Sequence, residues 1–311
     1  MAAGKRKPGL FLSSALGQTP RMHRFIAFGL ANNLRRWTIF SSLAIALLGC
    51  AHTAPVPKNV RIALLSDTHV NRNGTNDDQH LYRGRFDKAI AMVNTSKVDL
   101  VLFTGDLTQD GKPQEIDDFL AQIKKLNPPV FYVPGNHDLG NKIIPGKGGT
   151  VTEARVAQFE KRLGPSFFAK TSGGVRIIGI NSPILGSGFA REKEMWSFLE
   201  QELSRPAGVP TIVFSHYPAF TKQADEGGGD YWNMEPEPRK HLLALLKSGG
   251  VKTMLSGHLH RDLVNRWEGI LFISTRPVSF GLPKGKQPQG WTLVTLPAQG
   301  EAQYELIEIR D

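Results

Sequence analysis

Cysteine is nearly absent from this 311-residue chain: Cys50 is the only one. An internal disulfide is therefore excluded, and so is a thiolate cage for a metal, which needs several cysteines. Acidic residues are missing from positions 1–49, where Lys5, Arg6, Lys7, Arg21, Arg24, Arg35 and Arg36 are the charged residues. Taking those seven from the formal +10 leaves +3 for the rest of the chain. So weak a field gives no ground for a nucleic-acid partner. The main apolar run of the leader, from Trp37 to Leu48, is interrupted by Thr38, Ser41 and Ser42 and is too short to span a bilayer comfortably. Internal repeats and low-complexity stretches are missing as well, which argues against a repeat array.

What is present is an ordinary globular balance, 40% hydrophobic and 21% charged, in a chain long enough for one large domain or two small ones. The leader has a basic region, a short apolar region and a small residue before a cut point, the pattern of a secretory signal. Its end, Leu47-Leu48-Gly49-Cys50, resembles the bacterial lipobox, in which the cysteine is lipidated and becomes the first mature residue. The resemblance implies export and lipid attachment at Cys50, and the following Ala51, in place of aspartate, suggests the outer membrane with the protein facing the periplasm. The membrane is then a partner only through that anchor. The leader is long for a signal, so translation from Met22 is expected. The expected organisation is a signal peptide over 1–49, a Pro-containing tether over 50–59 and one domain over 60–311.

From Val60 onward strands and helices alternate. Apolar runs at 60–65, 100–103, 130–133, 175–180, 211–214 and 251–255 read as strands, and the tail adds three more near 270–274, 291–296 and 303–309. Helices are expected from Phe86 through Val93, from Pro113, from Thr152 to Leu163, around Trp196 to Leu203 and from His241 to Lys247. Strand–helix alternation with a β-rich end predicts a layered α/β fold.

The strand ends carry the chemistry. They read Ser66-Asp67-Thr68-His69, Thr104-Gly105-Asp106-Leu107-Thr108, Pro134-Gly135-Asn136-His137-Asp138, Ser215-His216-Tyr217-Pro218 and Gly257-His258-Leu259-His260. Carboxyl ends of strands in an open α/β sheet converge on one crevice, so Asp67, His69, Asp106, Asn136, His216, His258 and His260 are expected to meet there. In an extended chain His258 and His260 would face the same side. Carboxylate, amide oxygen and imidazole suit iron, manganese or zinc. Taken singly, Asp67 and Asp106 read first as caps of following helices, and Gly135-Asn136 can simply make a turn. Tyr231-Trp232 and Arg276-Pro277 lie on segments that can reach the crevice, but loop packing accounts for them.

Taken in order, these motifs resemble those of calcineurin-like metallophosphoesterases over about residues 60–280. Their wording is most similar to the branch holding cyclic-nucleotide and glycerophosphodiester phosphodiesterases, rather than to purple acid phosphatases. The resemblance implies a four-layer α/β/β/α sandwich: two mixed β-sheets face to face, flanked by helices. It implies one metal on Asp67, His69 and His260, a second on Asn136, His216 and His258, and Asp106 bridging the two. The cations would be divalent or trivalent (Mn, Fe or Zn), and a hydroxide they activate would attack the ester. His137 would contact the phosphate and protonate the leaving alkoxide, with Asp138 orienting it. The substrate implied is a small-molecule phosphate ester, diesters favoured. The alternatives are a phosphomonoesterase, and a non-catalytic binding lipoprotein on the same fold. Whether the loops 71–82, 140–151 and 221–238 close over the crevice separates diester from monoester preference.

Overall fold

The computed structural model describes residues 59–72, 79–147 and 149–310. The leader, Cys50 and most of the tether lie outside the described residues, as does the centre of the 71–82 loop. Among the described residues no helix is long and apolar enough to cross a membrane.

Two sheets form the framework. In the first, β1 (Val60–Leu65), β2 (Leu100–Phe103) and β3 (Val130–Tyr132) run parallel, and β10 (Gly290–Leu296) and β11 (Gln303–Glu308) add antiparallel strands beside β1, in the order β11-β10-β1-β2-β3. The second has the order β4-β5-β6-β7-β9-β8. Its parallel centre is β5 (Val175–Gly179), β6 (Thr211–Phe214), β7 (Thr253–Ser256) and β9 (Ile270–Ser274), with antiparallel edges β4 (Phe168–Ser172) and β8 (Leu263–Trp267).

Side-chain alternation divides the central strands between two cores. Ile62 and Leu64 of β1, Leu100 and Leu102 of β2, Ile212 and Phe214 of β6 and Leu271 and Ile273 of β9 pack together between the sheets. Their neighbours Ala63, Leu65, Val101, Phe103, Val213 and Phe272 belong to the other core, with the helices. There they meet Phe86 and Val93 of α1 (Tyr82–Thr95), Ile116 and Phe119 of α2 (Pro113–Ile123), and Leu199 and Leu242 of α5 (Ala190–Leu203) and α6 (Pro236–Ser248). Burial on both faces explains why these strands are nearly unbroken apolar runs.

Local signals set the helix starts. Pro113 opens α2, and the Glu115 carboxylate reaches back to accept from Lys112 N at 3.2 Å and Asp110 N at 2.8 Å. Thr152 caps α4 (Glu153–Leu163) by accepting from Arg155 N. One short helix had no sequence signal of its own, α3 (Asn136–Leu139), directly after β3. Because β1, β2 and β3 are parallel, as are β6 and β7, Asp67, Asp106, Asn136, His216 and His258 all leave the sheets at the same end.

Candidate metal centre

Five of the seven non-glycine residues with positive φ among the described residues lie in this crevice: Asp67, His69, Asp106, His258 and His260, between 44° and 71°. Left-handed backbone is unfavourable for such residues and persists where the surroundings enforce it, which happens disproportionately at functional sites. His258 and His260 are therefore not in extended chain. β7 stops at Ser256, and each ring turns inward from a left-handed residue.

Close backbone approach holds the strand ends together. Asp67 N donates to Gly105 O, His69 N to Asp106 O, and Gly257 N to His216 O. A Cβ on Gly135 would collide with Asp106, and one on Gly257 with Ser66 and Thr104, so only glycine fits at these two crossings.

The histidines are fixed from outside. His216 Nδ1 lies 2.8 Å from Thr104 O, His260 Nδ1 2.7 Å from Phe280 O, and His258 Nε2 3.1 Å from Tyr231 O. His69 Nδ1 lies 3.1 Å from the Gln109 side-chain oxygen. An imidazole that donates outward keeps a lone pair on its inner nitrogen. Those inner nitrogens meet in two groups. His69 Nε2 and His260 Nε2 are 3.2 Å apart, with Asp67 Oδ1 3.3 Å from the latter. His216 Nε2 is 3.1 Å from His258 Nδ1 and 2.8 Å from Asn136 Oδ1. Asn136 is held with its oxygen inward because its amide nitrogen faces Asn141 Oδ1 and the Tyr231 hydroxyl, each at 3.1 Å. Asp106 Oδ2 sits between the groups, 3.6 Å from His69 Nε2 and 3.3 Å from His216 Nε2, while its Oδ1 accepts from His137 N.

This donor set fits cations. Imidazole lone pairs facing each other at hydrogen-bond distance need a proton or a cation between them. Asp67 Oδ1 is buried with only the His260 ring nitrogen beside it, at 3.3 Å and without hydrogen-bond geometry, although Oδ2 accepts from His258 N. Asp67, His69, Asp106 and His260 offer one cluster of converging ligand atoms, and Asp106, His216 and His258 a second. Asp106 Oδ2 is the atom placed to serve both.

The charges respond accordingly. Burial alone would raise Asp67, yet the His260 charge carries it well below the usual carboxylate range. Burial likewise opposes Asp106, and His216 outweighs it, holding the carboxyl ionised. Burial would lower His216, but Asp106 raises it to about 9; His260 is raised in the same way by Asp67. His69, buried and beside His137, falls to about 3, and His258 falls well below its ordinary value through burial and the His216 charge.

The structure corrects the expectation for Asp138. Its carboxylate does not touch His137. It accepts from Leu107 N, Thr108 N, Thr108 Oγ1 and Gly135 N, at 2.7 to 3.1 Å. As the third residue of α3 it folds back on the helix start, which points it at the loop after β2. Burial and the Asp106 charge raise it to about 6. Asp138 thus braces the loops that carry Asp106 and Asn136. His137 is oriented by Gln109, whose backbone oxygen lies 2.7 Å from Nδ1. Gln109 also meets His69, and it had no sequence signal beyond lying three residues after Asp106.

Loop packing does not account for Tyr231-Trp232 either. The Tyr231 hydroxyl and carbonyl touch Asn136 and His258, and the Trp232 ring centre is 5.7 Å from that of His258. Arg276 does pack as a loop residue, paired with Asp262 at 2.9 Å. The segment 226–235 is clasped against 141–147 by Lys142 Nζ to Glu235 at 2.6 Å and Lys147 Nζ to Gly229 O at 2.9 Å. It leaves Tyr231 and Trp232 over a third exposed, so the crevice is open on that side.

Comparison with known proteins agrees with this geometry. Residues 60–262 match the family model described as calcineurin-like phosphoesterase. The chain belongs to that family. It is 31% identical over 215 residues to the serine/threonine-protein phosphatase CPPED1 of Danio rerio, covering 64% of this chain and 65% of that one. The chain thus spans about two thirds of that relative's length. It is 27% identical over 220 residues to a probable glycerophosphodiester phosphodiesterase of Arcobacter nitrofigilis, covering 68% of this chain and 76% of that one. In fold it is similar to a purple acid phosphatase from yellow lupin, with a TM-score of 0.60 at 16% identity over 81% of this chain and 52% of that one. A dimetal phosphatase from Danio rerio gives 0.53 at 12% identity, over 81% of this chain and 99% of that one. These likenesses show the same two mixed β-sheets with flanking helices.

Proposed function

We propose that this protein is a dinuclear metal-dependent phosphoesterase that prefers diesters. The carrying observation is the pair of lone-pair clusters that share Asp106 Oδ2. Asp67, His69 and His260 would hold one cation, Asn136, His216 and His258 the other, and Asp106 both. When bound, two cations neutralise phosphoryl charge and lower the pKa of water toward neutrality. Imidazole and carboxylate or amide oxygen admit manganese, iron or zinc alike.

The chain's own groups supply the rest. Asp67 and Asp106 stay ionised at neutral pH, and Asn136 adds an oxygen without adding charge. His137 donates from Nδ1 to Gln109 O, so a second proton can sit only on Nε2, which has no protein partner among the described residues. From there it can pass to a leaving alkoxide.

The diester preference is supported by a chamber of about 520 Å³ lined by Trp232 and Leu259, beside His258, with room for a second ester substituent. Relatives named as phosphodiesterases favour it. Those named as phosphatases favour the monoester alternative. The test compares bis(p-nitrophenyl) phosphate with p-nitrophenyl phosphate as substrates of the manganese-loaded protein. Faster diester turnover is expected; faster monoester turnover would replace the reading with phosphatase.

Lipid attachment at Cys50 and an outer-membrane, periplasm-facing location are proposed from the lipobox resemblance. Mass spectrometry of the native protein should find a diacylglyceryl Cys50 as the first residue. An intact, unlipidated leader would reject the proposal.

A further inference from the structure

The chamber beside His258 has a composition of its own. Trp232 is 38% exposed there, with the Tyr231 ring edge-on to it at 5.0 Å. Leu259, Leu282 and Pro283 supply apolar lining, and Leu259 is held between His258 and His260. Leu282 N donates to His260 O at 2.9 Å, which ties this lining to the first cluster as Trp232 is tied to the second. The lining also carries Arg261 and Lys222, against one acid, Asp230. Neither cation has an ion-pair partner among the described residues, whereas Arg266 and Arg276 nearby are both paired.

A glycerol-like or short aliphatic substituent would meet the apolar side chains but would use neither the aromatic face nor the two cations. An aromatic face left a third exposed beside apolar side chains matches a planar ring, which stacks on indole with useful energy. Two unpaired cations at the same chamber match an anionic group on that ring. We propose that this chamber, built on Trp232 with Arg261 and Lys222, selects the second ester substituent as an aromatic ring that carries an anionic group. The inference rests on the diesterase reading of the adjoining centre and names its substrate class.

Three diesters with one leaving group test it: ethyl, phenyl and 4-carboxyphenyl esters of p-nitrophenyl phosphate. In the wild-type protein kcat/KM should rise along that series. Trp232→Ala should cut the phenyl-over-ethyl ratio about tenfold. Arg261→Met should cut the carboxyphenyl-over-phenyl ratio about threefold and leave the phenyl-over-ethyl ratio standing. Equal kcat/KM for the three esters, or ratios unmoved by either substitution, would overturn the proposal while leaving the diesterase reading intact. A second readout needs no turnover. Titrating 4-carboxyphenylphosphonate should quench tryptophan fluorescence saturably in the wild type and not in Trp232→Phe. If no ester is hydrolysed, the diesterase reading falls, and this titration still decides the chamber: saturable quenching lost in Trp232→Phe upholds it as a ring-binding site, and no quenching rejects it.

Discussion

Replacing Lys142 by methionine should loosen the side of the centre that the 226–235 segment closes. Lys142 and Glu235 are 2% and 9% exposed at the side chain and meet at 2.6 Å; Lys142 Nζ also donates to Asn233 O at 2.5 Å. Burial lowers the Lys142 ammonium, and Glu235 offsets this only in part. Removing the ammonium leaves a buried carboxylate without its ion-pair partner, a change that costs about 3–5 kcal/mol. Glu235 keeps the Gly229 N–H, at 3.0 and 3.2 Å to its two oxygens, so the lower end, about 3 kcal/mol, applies. For a domain of this size each kcal/mol moves Tm by roughly 2–4 °C, giving a fall of about 6–12 °C. Differential scanning calorimetry on chelated protein measures it. Lys142→Met/Glu235→Leu should recover much of the loss, because it removes the stranded charge. A single-mutant shift below about 2 °C, or a double mutant worse than the single, would show that the Lys142–Glu235 pair does not hold this segment.

His137→Ala should retain its metal and lose about 10²–10⁴-fold in turnover of esters with poor leaving groups, much less with p-nitrophenolate; equal turnover of alkyl esters would contradict the proton role. Tyr231→Phe removes the hydroxyl that faces the Asn136 amide at 3.1 Å, and should weaken the second cation about 10–100-fold by metal titration, sparing the first. The metal-free protein should lose stability with rising pH. His216 is raised from 6.5 to about 9, so its contribution is complete below pH 6.5 and disappears as pH climbs through about 9. His260, raised as well, acts in the same sense, whereas His69 and His258 are lowered and are already neutral there. A chelated protein whose Tm is flat or rising from pH 6.5 to 9 would contradict the Asp106–His216 pairing.

The strands and the seven converging residues were legible because their causes are local in sequence. Strands buried on both faces read as apolar runs, and parallel strands must deliver their ends to one side. The edge strands β4 and β8 were not, since Phe168–Ser172 and Leu263–Trp267 are half exposed and carry no clear alternation. Asp138 was misread because adjacency to His137 suggested contact, whereas the turn of α3 sends neighbouring side chains in different directions. Gln109 contributes partly through a backbone oxygen, which no residue type announces. Tyr231 reaches Asn136 across 95 positions only because the buried Lys142–Glu235 pair closes one loop on another. The inward turn of His258 and His260 comes from left-handed backbone, and periodicity alone assigns it to the wrong geometry.

The Asp106 carboxylate joins the two clusters, and metal counting shows whether it holds both cations. Wild-type protein and Asp106→Asn, each dialysed against manganese and then metal-free buffer, would be assayed by inductively coupled plasma mass spectrometry. About two ions per wild-type chain are expected, since the two clusters are complete only with Asp106, and one or fewer in the variant, with diester hydrolysis lost. Two ions retained by Asp106→Asn, or a wild type that binds none, would contradict a dinuclear centre bridged at that residue.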